Sequence, residues 1–390
     1  MGAPLALGVA GLGRAFTIML PTLTRHPRVK LVAAADPRAE ARARFEADFG
    51  YRACDSVEAL CADRSVDAVY VATPHEHHAA HAIAALRAGK HVLVEKPMAI
   101  TLDEARSMVD AARENRVQLL VGPSHSFDAP IARTRAMIAG GAYGRVRMIH
   151  AMYYTDFLYR PRRPAELDTA QGGGVVFSQA AHQVDIARLL AGGMATRVRA
   201  MTGAWDDARP TEGAYAALLA FDGGAFASLT YSGFAHYDGD EAFDGIGELG
   251  QRKDAAAHGA ARRSLAAVRG ADAEAAAKNE RNYGGAAFRA AAAEWHEHFG
   301  SIVVSCDRAD LRPTPQGVWI HADAGRHFEA LAGPAIPRAE VIDEFCGAIE
   351  SGEPAVHRGE WGLATLEVCL AMLASAREAR EVELHHQVAP

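Results

Sequence analysis

Between residues 5 and about 122, short apolar runs alternate with amphipathic segments. "LALGVA", "VKLVAAAD", "DAVYVAT", "HVLVEK" and "VQLLVG" are separated by Ala-, Leu- and Arg-rich stretches of helical periodicity. Short runs that are apolar throughout predict strands buried on both faces. Their alternation with helices predicts an α/β fold, a doubly wound parallel sheet. Two helix starts are marked by chemistry: Ser56 stands before "VEAL", and Thr101 with Glu104 in "TLDEA" has the spacing of a capping box.

After "VGPSHSFDAPIARTRAMIAGGAYGRV" the rhythm changes. "VRMIHAMYYT", "YAALLAFDGGAFASLTYSG" and "SIVVSC" read as longer strands, with Asp222-Gly223-Gly224 as a hairpin turn. This half predicts an α+β domain with an open, mostly antiparallel sheet. Residues 239–298 interrupt it with an Ala-, Arg- and Glu-rich stretch, expected as a surface insertion of exposed helices. "AEVIDEFCGAIESG" and "WGLATLEVCLAMLASAREAR" are amphipathic helices near the end of the chain. The expected division is one domain over 1–123 and a second over 124–390.

Composition narrows the function classes. The chain has 390 residues, 49% of them hydrophobic and 23% charged, enough for two cores. With 41 Lys+Arg against 48 Asp+Glu there is no overall basic charge to recruit nucleic acid. Cys54, Cys61, Cys306, Cys346 and Cys369 form no C-x-x-C pair and read as packing thiols in a reducing compartment. No apolar run approaches the roughly 20 residues of a membrane span, and "MGAPLALGVAGLG" lacks a basic leader region. The expectation is a cytoplasmic protein without membrane or nucleic-acid partners.

"GVAGLGRAF" follows the first strand and opens the first helix, where a phosphate-binding turn belongs. Gly11 permits the tight turn, Gly13 lets backbone approach a pyrophosphate, and the helix N-terminus faces the anion. Phe16 takes the place of the usual third glycine, so the helix is expected to pack differently. Asp36 ends the second strand, where a carboxylate accepts the ribose hydroxyls of NAD and repels the 2′-phosphate of NADP, although Arg38 lies close enough to attract it. NAD is the expected cofactor, NADP the weaker alternative.

"TPHEHHAAH" carries His75, His77, His78 and His81. His77 and His81 have the helical spacing of zinc ligands, but no cysteine or carboxylate pair completes a site, so no metal is expected. A polar helix start beside the nicotinamide ribose is the preferred reading. The fifth strand ends on Glu95, Lys96 and Pro97, two opposite charges where ligands bind in parallel α/β sheets.

"AGLGR", "VATPHEHHAAHAIAALRAGKHVLVEKP" and "GGGVVFSQAAHQVDIARLL" together resemble the glucose-fructose oxidoreductase/inositol dehydrogenase (Gfo/Idh/MocA) family, over nearly the whole chain except 239–298. The resemblance implies a Rossmann domain, an α/β second domain whose open sheet forms a dimer or tetramer, and a cis peptide before Pro97. It also implies that Lys96 hydrogen-bonds the reacting hydroxyl and the ribose, and that His182 is the general acid/base. The family commonly has an aspartate four residues before that histidine; Ser178 stands there, Ala180 replaces a frequent glycine, and Asp185 is the remaining candidate to orient His182. The implied cofactor contacts are Gly11, Gly13, Arg14 and Ala15 at the phosphates and Asp36 and Arg38 at the ribose. Thr73, Pro74 and His78 follow beyond the fourth strand, and Glu95 and Lys96 beyond the fifth.

"GLGRAFTIMLPT", "YYTDFLYRPRRPAELDT", "FSQAAHQVD" and "TGAWDDARPTEGAY" are further similar to the dehydrogenases that turn phthalate 4,5-cis-dihydrodiol into 4,5-dihydroxyphthalate in bacterial aromatic catabolism. Such a substrate is a diol bearing carboxylates, and "LYRPRRP" offers Arg160, Arg162 and Arg163 between prolines as guanidinium forks for them. His125 in "PSHSFD" is placed by its position at the domain junction as another substrate contact. Trp205, Tyr153 and Tyr154, in strand-like segments, read as core or interface. The alternatives are a dehydrogenase of a sugar, inositol or sugar phosphate, and a nicotinamide-binding regulator without catalysis.

Overall fold

The structure, a computed structural model, describes residues 3–192, 194–288 and 293–390. It divides into two compact units: 1–123 with 275–291 and 336–366, and 124–274 with 292–335 and 367–390.

The first unit is built on six parallel strands. In chain order the elements are β1 (Leu5–Ala10), α1 (Arg14–Arg25), β2 (Val29–Ala35), α2 (Ala39–Phe49), β3 (Ala53–Cys54), α3 (Val57–Cys61), β4 (Ala68–Val71), α4 (His78–Arg87), β5 (His91–Val94), α5 (Leu102–Asn115) and β6 (Leu119–Val121). The strand order is β3-β2-β1-β4-β5-β6, with the order reversing between β1 and β4, the kind of switch point beside which ligands bind in open parallel sheets. The all-apolar runs become strands because helices cover both faces: Leu7, Val9, Val69, Tyr70, Val92 and Leu93 are fully buried. Ser56 caps α3 by accepting from Ala59 N, and Thr101 and Glu104 close the capping box of α5. The short β3 escaped prediction, since two paired residues leave no periodicity. Lys96–Pro97 is cis, and so is Gly122–Pro123.

The second unit begins with α6 (Ala129–Ala139), β7 (Val146–Tyr154) and α7 (Ala181–Ala191), a single π-helical turn over Val176–Ala180 leading into α7. It continues through β8 (Ala195–Gly203), β9 (Ala214–Phe221), β10 (Phe226–Ser232), α8 (Ala260–Ala266), α9 (Ala271–Asn279), β11 (Ser301–Cys306), β12 (Ala309–Thr314), β13 (Gly317–Ala322) and β14 (Gly325–Ala330). α10 (Ala339–Ser351) belongs to the first unit. α11 (Gly359–Glu378) starts there and ends in the second, which β15 (Val382–Glu383) completes. The nine strands run β14-β13-β12-β11-β7-β10-β9-β8-β15, all antiparallel pairs except β7 with β10. The hairpin at 222–224 forms as expected, with Gly224 at φ +81°. Alternation along the strands puts one face against α6 and α7. The other carries exposed Met148, Met201, Leu218 and Phe226, with Phe226 paired directly to Met148.

Two expectations change. The stretch 239–298 is not merely an exposed insertion: α8 and α9 have no fully buried residues, but Asp240, Phe243, Tyr283, His296, Glu297 and His298 are buried, and residues 275–291 pack with the first unit. Its alanines and charges gave no periodicity because only isolated side chains reach a core. Trp205 lies beyond the end of β8 and is 70% exposed, its ring 5.1 Å from Phe234, whereas Tyr153 is buried in β7 as expected.

Candidate active site

In the first unit the turn between β1 and α1 has the backbone a pyrophosphate needs. Gly11 sits at φ +94°, and a Cβ there would fall 2.7 Å from the carbonyl oxygen of Ala72, so only glycine fits. A Cβ on Gly13 would meet no protein atom within 4 Å, which leaves its backbone open to a ligand at the start of α1. Arg14 and Ala15 form the first turn, the Arg14 guanidinium reaching Thr17 Oγ1 at 3.4 Å. Phe16 is fully buried, its ring meeting Tyr283 edge to face at 5.1 Å. The third-glycine position is thus filled by a ring covered from the 275–291 segment, and Tyr283 is itself tied to α2 by its hydroxyl on Asp48 at 2.6 Å.

At the end of β2, Asp36 Oδ2 accepts from Leu12 N at 2.8 Å and Oδ1 from Arg38 N and Nε at 2.9 and 3.0 Å. Arg38 also donates to Leu12 O at 2.8 Å. The carboxylate expected at the ribose and the guanidinium expected to attract a phosphate are one ion pair. These features fit a nicotinamide dinucleotide: phosphates at Gly13 and the α1 N-terminus, ribose at the Asp36–Arg38 pair.

The loops after β4 and β5 carry the next residues. Thr73 Oγ1 meets His81 Nδ1 at 3.0 Å, and Pro74 starts the 3-10 turn of His75–His77. His77 and His81, the pair with zinc spacing, lie with rings 5.5 Å apart. His78 is fully buried, with both ring nitrogens on carbonyl oxygens, Nδ1 on Pro97 at 2.8 Å and Nε2 on Thr73 at 2.7 Å. For His78 the expected direct cofactor contact is replaced by contacts to the loops after β4 and β5. Burial draws its proton affinity down while the two carbonyls oppose the shift. Glu95 is also buried and accepts from Tyr70 Oη at 2.6 Å; desolvation holds its carboxyl above the usual range against the charges of Lys96 and Arg338. Lys96 is half-buried.

In the second unit His182 lies in the first turn of α7, buried. Its Nδ1 is 3.4 Å from both Ser124 Oγ and the backbone N of His125. The rings of His125 and Phe299 stand 4.7 Å from it on either contact. His125 is held by Asp128 on Nδ1 at 2.7 Å, with Glu248 3.6 Å from Nε2. Burial opposes its charge, but Asp128, Glu248 and Glu297 outweigh it and push the imidazole up to about 10. His125, Asp128 and Glu297 bring possible metal-ligating atoms within 4.8 Å of one another, though the short Asp128 bond makes this a carboxylate-paired imidazolium. Asp185, the candidate orienter, accepts from Ser126 Oγ at 2.5 Å.

The π turn before α7 carries half-buried Ser178. It is fixed by Glu212, whose Oε1 accepts from Val176 N at 3.2 Å, beside Gly174 at φ +84°, where any Cβ would overlap that carboxylate. Single π turns recur at functional sites, because the extra residue re-aims the side chains that follow.

The three arginines are paired within the chain. Arg160 lies 3.4 Å from Asp156 and 4.0 Å from Glu248, and Arg163 lies 3.5 Å from Glu166. Arg162 stacks 3.6 Å over Phe157 and donates to its carbonyl, with Glu166 at 3.7 Å. Its Nε is buried without a hydrogen-bond partner. Burial, aided by Arg160 and Arg209, lowers Arg162 to about 10, so it remains a cation at neutral pH. Sequence reasoning missed Ser124, Asp128, Glu248, Glu297, Phe299 and Glu212. Only Asp128, three residues after His125, carried a local signal.

The oxidoreductase family with an NAD-binding Rossmann fold (Gfo/Idh/MocA) matches residues 5–123, and the Gfo/Idh/MocA C-terminal domain matches residues 131–251. The chain is 48% identical over 375 residues to 1-carboxy-3-chloro-3,4-dihydroxycyclohexa-1,5-diene dehydrogenase of Comamonas testosteroni, covering 95% of this chain and 94% of that one. It superposes with TM-score 0.91 and 40% identity on a crystal structure described as a dehydrogenase from Bordetella bronchiseptica RB50, over 97% of this chain and 100% of that one. Human trans-1,2-dihydrobenzene-1,2-diol dehydrogenase is 30% identical over 178 residues, 46% of this chain and 52% of that one. The chain belongs to the Gfo/Idh/MocA oxidoreductase family and is a nicotinamide-dependent enzyme. Among the described residues no helix is long and apolar enough to cross a membrane.

Proposed function

We propose that the enzyme oxidises a carboxylated cyclohexadiene cis-dihydrodiol to the aromatic diol with NAD, phthalate 4,5-cis-dihydrodiol being the substrate favoured by the sequence resemblance. The observation that carries this reading is the match, along nearly all of both chains, to a dehydrogenase whose name describes a carboxylated dihydroxycyclohexadiene. The half-buried Arg162, whose Nε has no hydrogen-bond partner among the described residues, supports a carboxylate as the group to be anchored, because a guanidinium gains a charge-assisted bond there.

The bound nicotinamide supplies the acceptor for the hydride leaving the ring carbon. Lys96, just beyond β5, hydrogen-bonds the reacting hydroxyl. His182 accepts its proton, with Ser124 Oγ and the backbone N of His125 each 3.4 Å from its Nδ1 and orienting the ring. Asp185 orients the start of α7 through Ser126. His125, both of whose nitrogens face carboxylates, is a fixed wall for His182 and not a base. The resulting enone tautomerises to the aromatic diol, which makes the overall step downhill.

Asp36, a carboxylate at the end of β2, would accept ribose hydroxyls and repel a 2′-phosphate, which favours NAD over NADP. The exposed apolar face bearing Met148, Met201, Leu218 and Phe226 supports a homo-oligomer through the open sheet. Reduction of NAD⁺ by a carboxylated diol, set against polyols, sugars and sugar phosphates, tests the substrate class.

A further inference from the structure

We propose that Tyr283 is a clasp on the dinucleotide site: it makes up for the missing third glycine by bridging α1 and α2, and so holds the phosphate turn and the Asp36–Arg38 pair in the geometry that binds the cofactor. Over residues 271–288 only Asn282 and Tyr283 are buried, and the side chains around them are exposed or half-buried. A mostly exposed stretch that sends one aromatic ring into a core is anchored by that ring. Tyr283 is 1% exposed.

The ring lands where the glycine pattern breaks. A glycine at position 16 would let α1 close on the strands beneath it. Phe16 takes up that space instead, fully buried, and Tyr283 meets it edge to face with centroids 5.1 Å apart and planes at 82°. The other end of the tyrosine reaches α2. Its hydroxyl donates to Asp48 Oδ2 at 2.6 Å, in the last turn, where Arg44 Nε binds the same oxygen at 2.7 Å. Its backbone lies at the start of that helix: Tyr283 O is 3.5 Å from Arg38 Nη1, and a Cβ on Gly284, at φ +86°, would stand 3.2 Å from Ala41 Cα.

Tyr283 and Gly284 thus touch α1 at Phe16 and α2 at both of its ends. β2 joins these two helices, and Asp36 follows its carboxyl end. The phosphates are expected at Gly13 and the first turn of α1, the ribose at Asp36 and Arg38. Hydrogen bonds to phosphate and hydroxyl weaken steeply with distance and angle, so a shift of α1 against α2 detunes both sets of contacts together. Tyr283 opposes that shift without being asked to touch the cofactor. It is a positioning residue, and its docking and cofactor binding strengthen each other by the same factor.

The inference rests on the reading that the turn between β1 and α1 takes the dinucleotide phosphates. The test is titration of NADH and of NADPH, followed by cofactor fluorescence, into the full-length wild-type protein, Tyr283→Phe and Tyr283→Ala, with melting curves of each to set a temperature at which all are folded. For whichever cofactor the wild type prefers, Tyr283→Ala is expected to raise Kd by about tenfold or more. Tyr283→Phe, which keeps the ring on Phe16 and loses only the bond to Asp48, is expected to raise it by about threefold. A lowered melting temperature in Tyr283→Ala with Kd within about twofold of wild type overturns the clasp, since a merely structural ring would give that result. A wild-type protein that binds neither cofactor overturns the dinucleotide reading itself. Should Tyr283→Ala fail to fold, hydrogen exchange of the wild type decides: the saturating cofactor is expected to slow exchange of the amides at 282–285 by about threefold or more, and unchanged exchange there overturns the proposal.

Discussion

The backbone N–H of His125 points at Nδ1 of His182 from 3.4 Å, and the two imidazole rings meet at 65° with centroids 4.7 Å apart. One of the pair is locked between carboxylates; the other is the proposed base.

The locked ring makes a pH prediction. Its folded value, about 10, lies above the ordinary 6.5, so the stability it contributes is full below about pH 6.5 and is lost as pH rises through about 10. Thermal melting of the wild-type protein is expected to fall across that window, and His125→Gln to show a flatter alkaline slope. Equal slopes in the two proteins contradict the ion-paired assignment.

Ser124 faces His182 Nδ1 at 3.4 Å, and in the proposed mechanism it orients the ring. Ser124→Ala is expected to lower kcat by about tenfold, the scale of one hydrogen bond of about 1.4 kcal/mol, with little change in NAD affinity. Steady-state kinetics and cofactor titration check the split.

Arg162 is assigned to a substrate carboxylate. Arg162→Gln is expected to raise KM for a carboxylated diol by about 10- to 100-fold, the range for a charge-assisted hydrogen bond of 1.5–3 kcal/mol, while NAD binding stays unchanged. An unchanged KM would remove the anchor role.

Asp36 and Arg38 form one ion pair at 3.0 Å, so the guanidinium is held by the carboxylate proposed to favour NAD. Asp36→Ser should free it for a 2′-phosphate, raising kcat/KM with NADP by about tenfold and lowering it with NAD. Measurement with both cofactors gives the ratio directly.

Leu218 and Phe226 lie on the exposed sheet face. Leu218→Arg combined with Phe226→Glu is expected to dissociate the proposed homo-oligomer, read by sedimentation velocity, while the protein still melts cooperatively; a wild-type protein that sediments as a monomer would remove the assignment of this face.

Much of the first unit was legible because its strands are apolar without interruption and its helix starts carry caps such as Ser56 and the Thr101–Glu104 box. The phosphate turn was legible for the same local reason, Gly11 and Gly13 lying between strand and helix. What the sequence hid depends on distant contacts. Glu248, Glu297 and Phe299 reach His125 and His182 from the 239–298 stretch and its edge, where no periodicity announces isolated buried side chains. Phe16 looked like a defect in the glycine pattern until Tyr283, more than 260 positions away, was seen to cover it. The arginine loop was readable as charge, but its partners Glu166 and Glu248 were not.

The most direct test is NADH formation by the purified enzyme supplied with NAD⁺ and, in separate reactions, phthalate 4,5-cis-dihydrodiol, a monocarboxylated cyclohexadiene cis-diol, myo-inositol, glucose and a sugar phosphate. The account predicts one NADH for each aromatic diol formed from a carboxylated cis-diol, abolished in both Lys96→Ala and His182→Ala. Turnover of a polyol or sugar phosphate with both cis-diols inert would contradict it.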